Sequence, residues 1–348
     1  MNLLGTLSQR AFLRGYWQKR PLFIRGAVTN FTGAADLRQL AKLACRADVE
    51  SRMVERHGAR WETQHGPFPR IRLRKSNATL LVSGINLHLR RADALLRSFD
   101  FIPQARLDDV MVSYATPGGG VGPHVDSYDV FLLQGAGERR WTIWAGEKKK
   151  KTYRTRAGDL LYLPPGIRHD GVALTPCFTY SIGFRAPRGT ELAAAFLDWL
   201  HSRGLPDAVY RDPGLQPTRR PARIPSAMIA FVQDHLARIR WTREDAVDFL
   251  GAYLTEPKPH VVFRKETAGR LARGREVHLH PKTQLLYSGS RFFLNGERIA
   301  VPAASRAWLR RLADDRKIMG AELVPARLAD LIYRWQRLGY VRLEGAPA

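Results

Sequence analysis

The chain has 348 residues, 56 of them Lys or Arg and 32 Asp or Glu, for a formal charge of +24, and 45% are apolar. That apolar share supports packed domains, two or three at this length, and excludes a disordered polyelectrolyte. No apolar run approaches the length of a membrane-spanning helix, and Arg10 and Arg14 interrupt the opening segment before a secretory core could form. Two cysteines, Cys45 and Cys177, are too few for a disulfide framework or a zinc site. The expected compartment is cytoplasmic, with no membrane partner and both thiols buried.

The positive charge, mostly arginine, would attract nucleic acid or an assembly that contains it, without specifying a sequence. It reads equally as the arginine bias of a high-GC coding sequence, because the charges are interspersed and form no long basic tail. The exception is Lys148 to Lys151, expected as an exposed loop between two strands of the presumed site.

Residues 1 to about 105 read as a mixed preface. Leu22–Ile24 is a short strand behind Tyr16–Pro21, and Leu37, Leu40 and Leu43 with Ala41 and Ala44 give Thr32–Cys45 a helical period with one apolar side. His57, His65 and His88 stand alone, and isolated histidines are more often surface or core residues than ligands.

From Asp108 to about Pro187, short apolar runs bounded by Gly and Pro predict strands at Val110–Tyr114, His124–Gln134, Arg139–Trp144, Leu160–Leu163 and Phe178–Arg185. Alternate side chains of an extended strand share a face, so His124 and Asp126 offer an imidazole and a carboxylate to one point in space. Gly158-Asp159 and Pro164-Pro165-Gly166 frame the Leu160–Leu163 strand and deliver His169 to the strand after it. Two histidines and one carboxylate on adjacent strands of a small barrel form a facial triad, the ligand set of non-heme Fe(II) oxygenases. A bare His-x-Asp is common; the glycine six residues before His124 and the spacing Gly158-x5-Pro164-x-Gly166-x2-His169 are not, and both match the paired cupin motifs. Gly118-Gly119-Gly120 reads as a flexible approach to the first ligand, and not as a phosphate loop, since no Gly-Lys-Ser follows. In the strand Arg139–Trp144, alternation puts Arg139 on one face with Trp141 and Ile143. An inward guanidinium among apolar neighbours is costly without an anion, and a dicarboxylic co-substrate gripped by its bidentate fork would be such an anion.

These residues, with FLRGYWQKRPLFIRGA (Phe12–Ala27), TLLVSGIN (Thr79–Asn86), YSIGFRAP (Tyr180–Pro187) and YLTEPKP (Tyr253–Pro259), resemble the JmjC-type 2-oxoglutarate oxygenases of the cupin superfamily, most closely the bacterial ribosomal oxygenases. The resemblance spans nearly the whole chain. It implies that His124, Asp126 and His169 are the Fe(II) ligands and catalytic centre, that Arg139 pairs with the distal carboxylate of 2-oxoglutarate, and that Ser113 and Ser181 hydrogen-bond the same co-substrate. Ser113 and Ser181 read equally as ordinary strand hydroxyls. Also implied is the reaction: O2 is consumed, 2-oxoglutarate becomes succinate, and a C–H bond of a large-subunit ribosomal protein, at an arginine β-carbon, is hydroxylated. Proximity to ribosomal RNA goes with such a substrate.

After Pro187 the pattern turns helical. Thr190–Arg203 carries a broad apolar face that wants a partner, Asp212–Pro225 reads as a Pro/Arg-rich linker, and Ser226–Tyr253 as two more helices. From about Pro259 the order is strand, turn, strand, then helices Ala304–Ala313 and Pro325–Leu338 and a strand Tyr340–Glu344. The expected fold is α+β: a JmjC/cupin double-stranded β-helix with its helical preface over 1–187, a helical region over 188–256 that the resemblance makes the homodimer interface, and a winged-helix-like domain over 257–348. Two rivals stay open: a metallo-cupin of another reaction class, holding zinc or manganese, and a non-catalytic protein that binds ribosomes or nucleic acid through the winged helix.

Overall fold

The computed structural model describes residues 3–144, 150–320 and 323–345. The preface supplies α1 (Gln9–Gly15), β1 (Leu22–Ile24), α2 (Leu37–Ala44), β2 (Ser51–His57), β3 (Arg60–His65), β4 (Ala78–Val82) and α3 (Arg90–Arg97). The barrel follows with β5 (Leu107–Ala115), β6 (His124–Val125), β7 (Val130–Gln134), β8 (Arg139–Trp144), β9 (Lys150–Thr155), β10 (Leu160–Leu163), β11 (Arg168–Ala173) and β12 (Cys177–Phe184). An eight-stranded sheet in the order β1-β10-β7-β12-β5-β4-β2-β3 faces a four-stranded sheet in the order β6-β11-β8-β9.

The period of two along each strand decides what lies on either side of the large sheet. On β5, Val110 and Val112 are fully buried in the main core with α2 and α3, while Asp109, Met111 and Ser113 line a cavity on the opposite face. On β12, Tyr180, Ile182 and Phe184 enter the core and Thr179, Ser181 and Gly183 face the cavity. Aromatic rings fill that core: Phe12 meets Tyr162 edge-on at 5.0 Å and Phe99 lies 4.8 Å from Phe131. Helix α2 starts at Asp36, whose carboxylate accepts from Gln39 N–H at 2.7 Å while Gln39 Oε1 accepts from Asp36 N–H at 3.0 Å, a reciprocal cap.

Several expectations are corrected. The single strand His124–Gln134 is two strands in different sheets, with the crossing at Asp126–Asp129. There Asp129, fully buried, accepts from Tyr162 Oη at 2.6 Å and Gln18 Nε2 at 3.0 Å and pairs with Arg106 at 3.3 Å. Lys150 and Lys151 begin β9 and pair with Trp144 and Ile143; lysines suit this strand because it is the free edge of the small sheet. Lys148 and Lys149 lie outside the described residues. Cys177 is buried, but Cys45 is exposed, because it follows the last turn of α2 away from the buried Leu40, Leu43 and Ala44.

The remaining elements are α4 (Gly189–Ser202), α5 (Ser226–Ala237), α6 (Arg243–Thr255), β13 (Glu276–Leu279), β14 (Leu285–Ser288), β15 (Arg291–Leu294), β16 (Glu297–Ile299), α7 (Arg306–Asp315), β17 (Lys317–Met319), α8 (Ala326–Arg337) and β18 (Val341–Glu344). The chain forms two compact units: Met1–Ala186 with Pro257–Gln284 and Pro302–Ala348, and Pro187–Glu256 with Leu285–Val301. In the second unit α6 packs on β14-β15-β16, with Gly251 so close to the Phe293 ring that a Cβ there would sit 2.3 Å from it. The first unit contains β17-β13-β18 with α7 and α8, whose apolar residues Leu309, Leu312, Leu328, Ile332 and Trp335 are buried.

Candidate active site

The cavity between the two barrel sheets has a volume of about 560 Å³. His124 and His169 face each other across the β6–β11 pair, with ring centroids 4.2 Å apart. Asp126, just past β6, brings Oδ1 to 3.9 Å from His124 Nε2 and Oδ2 to 3.6 Å from His169 Nε2. Ligand atoms of these three side chains lie within 4.8 Å of one another. Each imidazole is anchored through its other nitrogen: His124 Nδ1 lies 2.9 Å from Gly122 O, and His169 Nδ1 2.9 Å from Ile167 O. Those carbonyls accept an Nδ1 proton and leave both Nε2 lone pairs aimed at one point, as metal-binding histidines require. Burial holds the His169 imidazole below its ordinary value, and the adjacent His124 adds to this, so it rests neutral.

The chain reaches His124 through a tightly laid segment, not a flexible one. A Cβ at Gly119 would sit 2.4 Å from Ala78 O, and one at Gly120 would sit 2.6 Å from Gly171 O. Gly118 N–H donates to Ala173 O, and Ala173 N–H to Gly119 O, both at 2.9 Å, so the glycines permit close backbone approach to β11. On the far side Gly166 N–H donates to Asp126 O at 2.8 Å, tying the Pro164-Pro165-Gly166 turn to the carboxylate ligand position.

Arg139 occupies the other end of β8. It is 4% exposed, and its Nε and Nη2 are buried without a hydrogen-bond partner. The backbone around it is well held: Thr155 Oγ1 donates to Arg139 O at 3.0 Å, and the Gln134 side chain bridges Thr155 and Thr179. His169 pairs with Ile143, four residues along β8 from Arg139. Four residues of strand span about 13 Å, a gap that an arginine side chain and a five-carbon dicarboxylate bridge together. Ser113, 5% exposed, and Ser181 line the cavity from β5 and β12. The donor set and the orphaned guanidinium therefore fit a metal with a bound dicarboxylate.

The opposite end of the cavity is acidic. Pairing between β5 and β12 skips a residue, with Ile182 opposite Val110 but Phe184 opposite Leu107. Such a bulge re-aims side chains, and here Asp108 and Asp109 both reach the cavity wall opposite Gly183. Asp109 Oδ2 accepts from Gly84 N–H at 2.7 Å. Burial pushes its carboxyl up to about 6; Lys258 opposes that shift and Asp108 and Glu50 add to it. Tyr128, 38% exposed, has its phenol pushed up to about 12 by burial and by Asp126 and Asp109, so it stays a neutral donor.

A JmjC domain model matches residues 94–192 and a ROXA-like winged-helix model matches residues 238–342. Over 325 residues the chain is 32% identical to ribosomal protein uL16 3-hydroxylase of Escherichia coli K12, covering 85% of this chain and 87% of that one. The chain belongs to the bacterial ribosomal oxygenases. A probable ribosomal oxygenase of Haemophilus influenzae is 35% identical over 208 residues, 53% of this chain and 52% of that one. The structure of YcfD, a ribosomal oxygenase from Escherichia coli in complex with cobalt and 2-oxoglutarate, matches with a TM-score of 0.83 at 32% identity, over 98% of this chain and 99% of that one. As in other ribosomal oxygenases, a JmjC cupin barrel, a helical region and a winged helix follow one another.

Within this ribosomal oxygenase the structure brings His124, Asp126, His169, Arg139, Ser113 and Ser181 to one cavity. The residues of the acidic end, Asp108, Asp109 and Lys258, are not among those that the motifs mark. Counting back by twos from Ser113 reaches Asp109, a usable signal. Nothing in the spacing places Lys258, from the YLTEPKP segment, on the same wall.

Proposed function

We propose that the chain is an Fe(II)- and 2-oxoglutarate-dependent hydroxylase of ribosomal protein uL16, acting at C3, the β-carbon, of an arginine. The observation that carries this reading is the coincidence, in one cavity, of a His-Asp-His group, a buried guanidinium with two nitrogens unpartnered and a pair of carboxylates, Asp108 and Asp109. His124, Asp126 and His169 would hold the iron. With 2-oxoglutarate and O2 bound, the metal centre supplies the oxidising power for C–H hydroxylation while the co-substrate becomes succinate and CO2.

The protein's own residues supply positioning. Arg139 pairs with the distal carboxylate of 2-oxoglutarate through a two-pronged charge-assisted contact, and Ser113 and Ser181 hydrogen-bond the same molecule. Asp109 and Tyr128 hold the substrate guanidinium at the acidic end, which sets the β-carbon between the two ends. The apolar lining from Leu132, Val130 and Trp141 keeps water from the reacting atoms. An arginine-binding end and an orphaned arginine fit a dicarboxylate-dependent reaction better than a zinc or manganese hydrolase, which has no use for Arg139.

The helical region supports self-association. Neither α4 nor α5 has a buried residue, and on α5 Ile229, Val232 and Leu236, at helical spacing, are 48%, 46% and 62% exposed. A homodimer would cover this stripe, and Val232→Glu should shift the mass measured by light scattering to that of one chain. A uL16 substrate places the enzyme in the cytoplasm near ribosomal RNA, to which its +24 charge is suited. The substrate is tested by mass spectrometry of ribosomal proteins from cells with and without the gene. A gain of one oxygen on a uL16 arginine that depends on the gene is the expected result; unmodified uL16 in both would remove the substrate.

A further inference from the structure

Lys258, in the segment just after α6, lines the acidic end of the cavity with Nζ 3.0 Å from Asp108 Oδ1. A cation in a cavity built for a guanidinium would compete with it for the same carboxylates. The bulge removes that conflict by supplying two carboxylates instead of one. Asp108 is taken by Lys258 and, at 3.6 Å, by Arg185 Nε, whereas Asp109 accepts from Gly84 N–H and keeps its other oxygen toward Gly183. Resting on the arginine-hydroxylase reading above, we infer that Lys258 is a positioning residue for the substrate: it fixes Asp108 and, by its charge, keeps Asp109 ionised to receive the guanidinium.

The charges around Asp109 make the need for such a cation plain. Asp108 on β5, Glu50 ahead of β2 and the Tyr128 phenol in the ligand loop all face it, and Asp126 and Arg52 act on Tyr128 in turn. Two of these neighbours are anions that disfavour a further negative charge, and burial works the same way. Lys258 is the cation that opposes them. Burial also works against the Lys258 charge, yet Asp109 and Asp108 hold its ammonium above the ordinary value, so the proton stays on lysine. Because Asp108 keeps Arg185 when Lys258 is neutralised, the local fold should survive the change.

The test is a carbon-13 titration of the Asp109 carboxyl, assigned with Asp109→Asn, in the wild type, Lys258→Met and Lys258→Arg. Lys258→Met should raise the Asp109 midpoint by about one pH unit and Lys258→Arg should restore it. A midpoint that is the same in Lys258→Met as in the wild type would overturn the inference, since a purely structural lysine changes melting temperature without moving that titration. In parallel, KM for a uL16 peptide should rise about threefold in Lys258→Met at pH 6.5 and return toward the wild type by pH 8.5, with kcat little changed. Absence of wild-type turnover on the peptide would count against the uL16 reading alone, because the titration decides the role of Lys258 without a substrate.

Discussion

The two ends of the barrel cavity handle charge in opposite ways. At one end Arg139 is sealed in with two guanidinium nitrogens unsatisfied, in surroundings of Trp141 and strand backbone. At the other, Asp108 and Asp109 share Lys258, Arg185 and a backbone N–H, and the nearby Tyr128 remains 38% exposed. A buried charge left without a partner is tolerable only if a tightly held counter-ion completes it, which is the expectation for a co-substrate bound beside the metal. A carboxylate tuned by neighbours suits a cation that must enter and leave each cycle. The difference between the ends gives the cavity a direction.

Removing what both ends serve is the most severe way to break this comparison. Replacing His124 or His169 by alanine should abolish turnover with the circular dichroism spectrum unchanged, because one lost ligand removes both affinity and geometry. An Asp126→Ala protein with normal metal content and activity would contradict the assignment of the triad.

Breaking only the co-substrate end should leave iron in place. Truncating one member of a buried charge pair costs roughly 2–5 kcal/mol, so Arg139→Ala should weaken 2-oxoglutarate binding by well over tenfold in calorimetry. Unchanged affinity would mean that the dicarboxylate is held elsewhere.

The acidic end is separable by pH. Asp109, raised to about 6, is protonated below that value, so affinity for a guanidinium is present above it and lost as pH falls through it. The substrate arginine stays charged throughout, and KM for the peptide should rise about tenfold between pH 7.5 and pH 5 while the affinity for 2-oxoglutarate changes far less. An Asp109→Asn enzyme should have a high KM with no such limb; a wild-type limb retained in that variant would assign it to another group.

The smallest effects sharpen the co-substrate end. A single hydrogen bond contributes about 1 kcal/mol, so Ser113→Ala and Ser181→Ala should each weaken 2-oxoglutarate binding a few-fold. If neither changes it, these serines are strand residues and Arg139 acts with the metal alone.

The sequence made one end of the cavity far easier to see than the other. Leu22–Ile24, Arg139–Trp144 and Leu160–Leu163 match the expected strands at both ends, because each is a dense apolar or alternating run closed by Gly, Pro or a charged turn. His124, Asp126, His169 and Arg139 all sit within or beside such runs, so period and spacing suffice to gather them. The β2–β3 hairpin was not legible: Arg60–His65 is largely exposed on both faces, so no apolar alternation marks it. Nor was the split of His124–Gln134, which depends on Asp129 finding Tyr162, Gln18 and Arg106 from distant parts of the chain. The acidic wall depends on a one-residue bulge and on a lysine from beyond the helical region, and neither leaves a periodic trace.

The most direct measurement of the central claim is the visible absorption of the anaerobic protein with Fe(II) and 2-oxoglutarate. A weak metal-to-ligand charge-transfer band should appear only when both are present. It should vanish in Asp126→Ala and need at least tenfold more 2-oxoglutarate to saturate in Arg139→Ala. A wild-type protein that binds Fe(II) yet gives no band with 2-oxoglutarate, or a band that saturates identically without Arg139, would contradict the account.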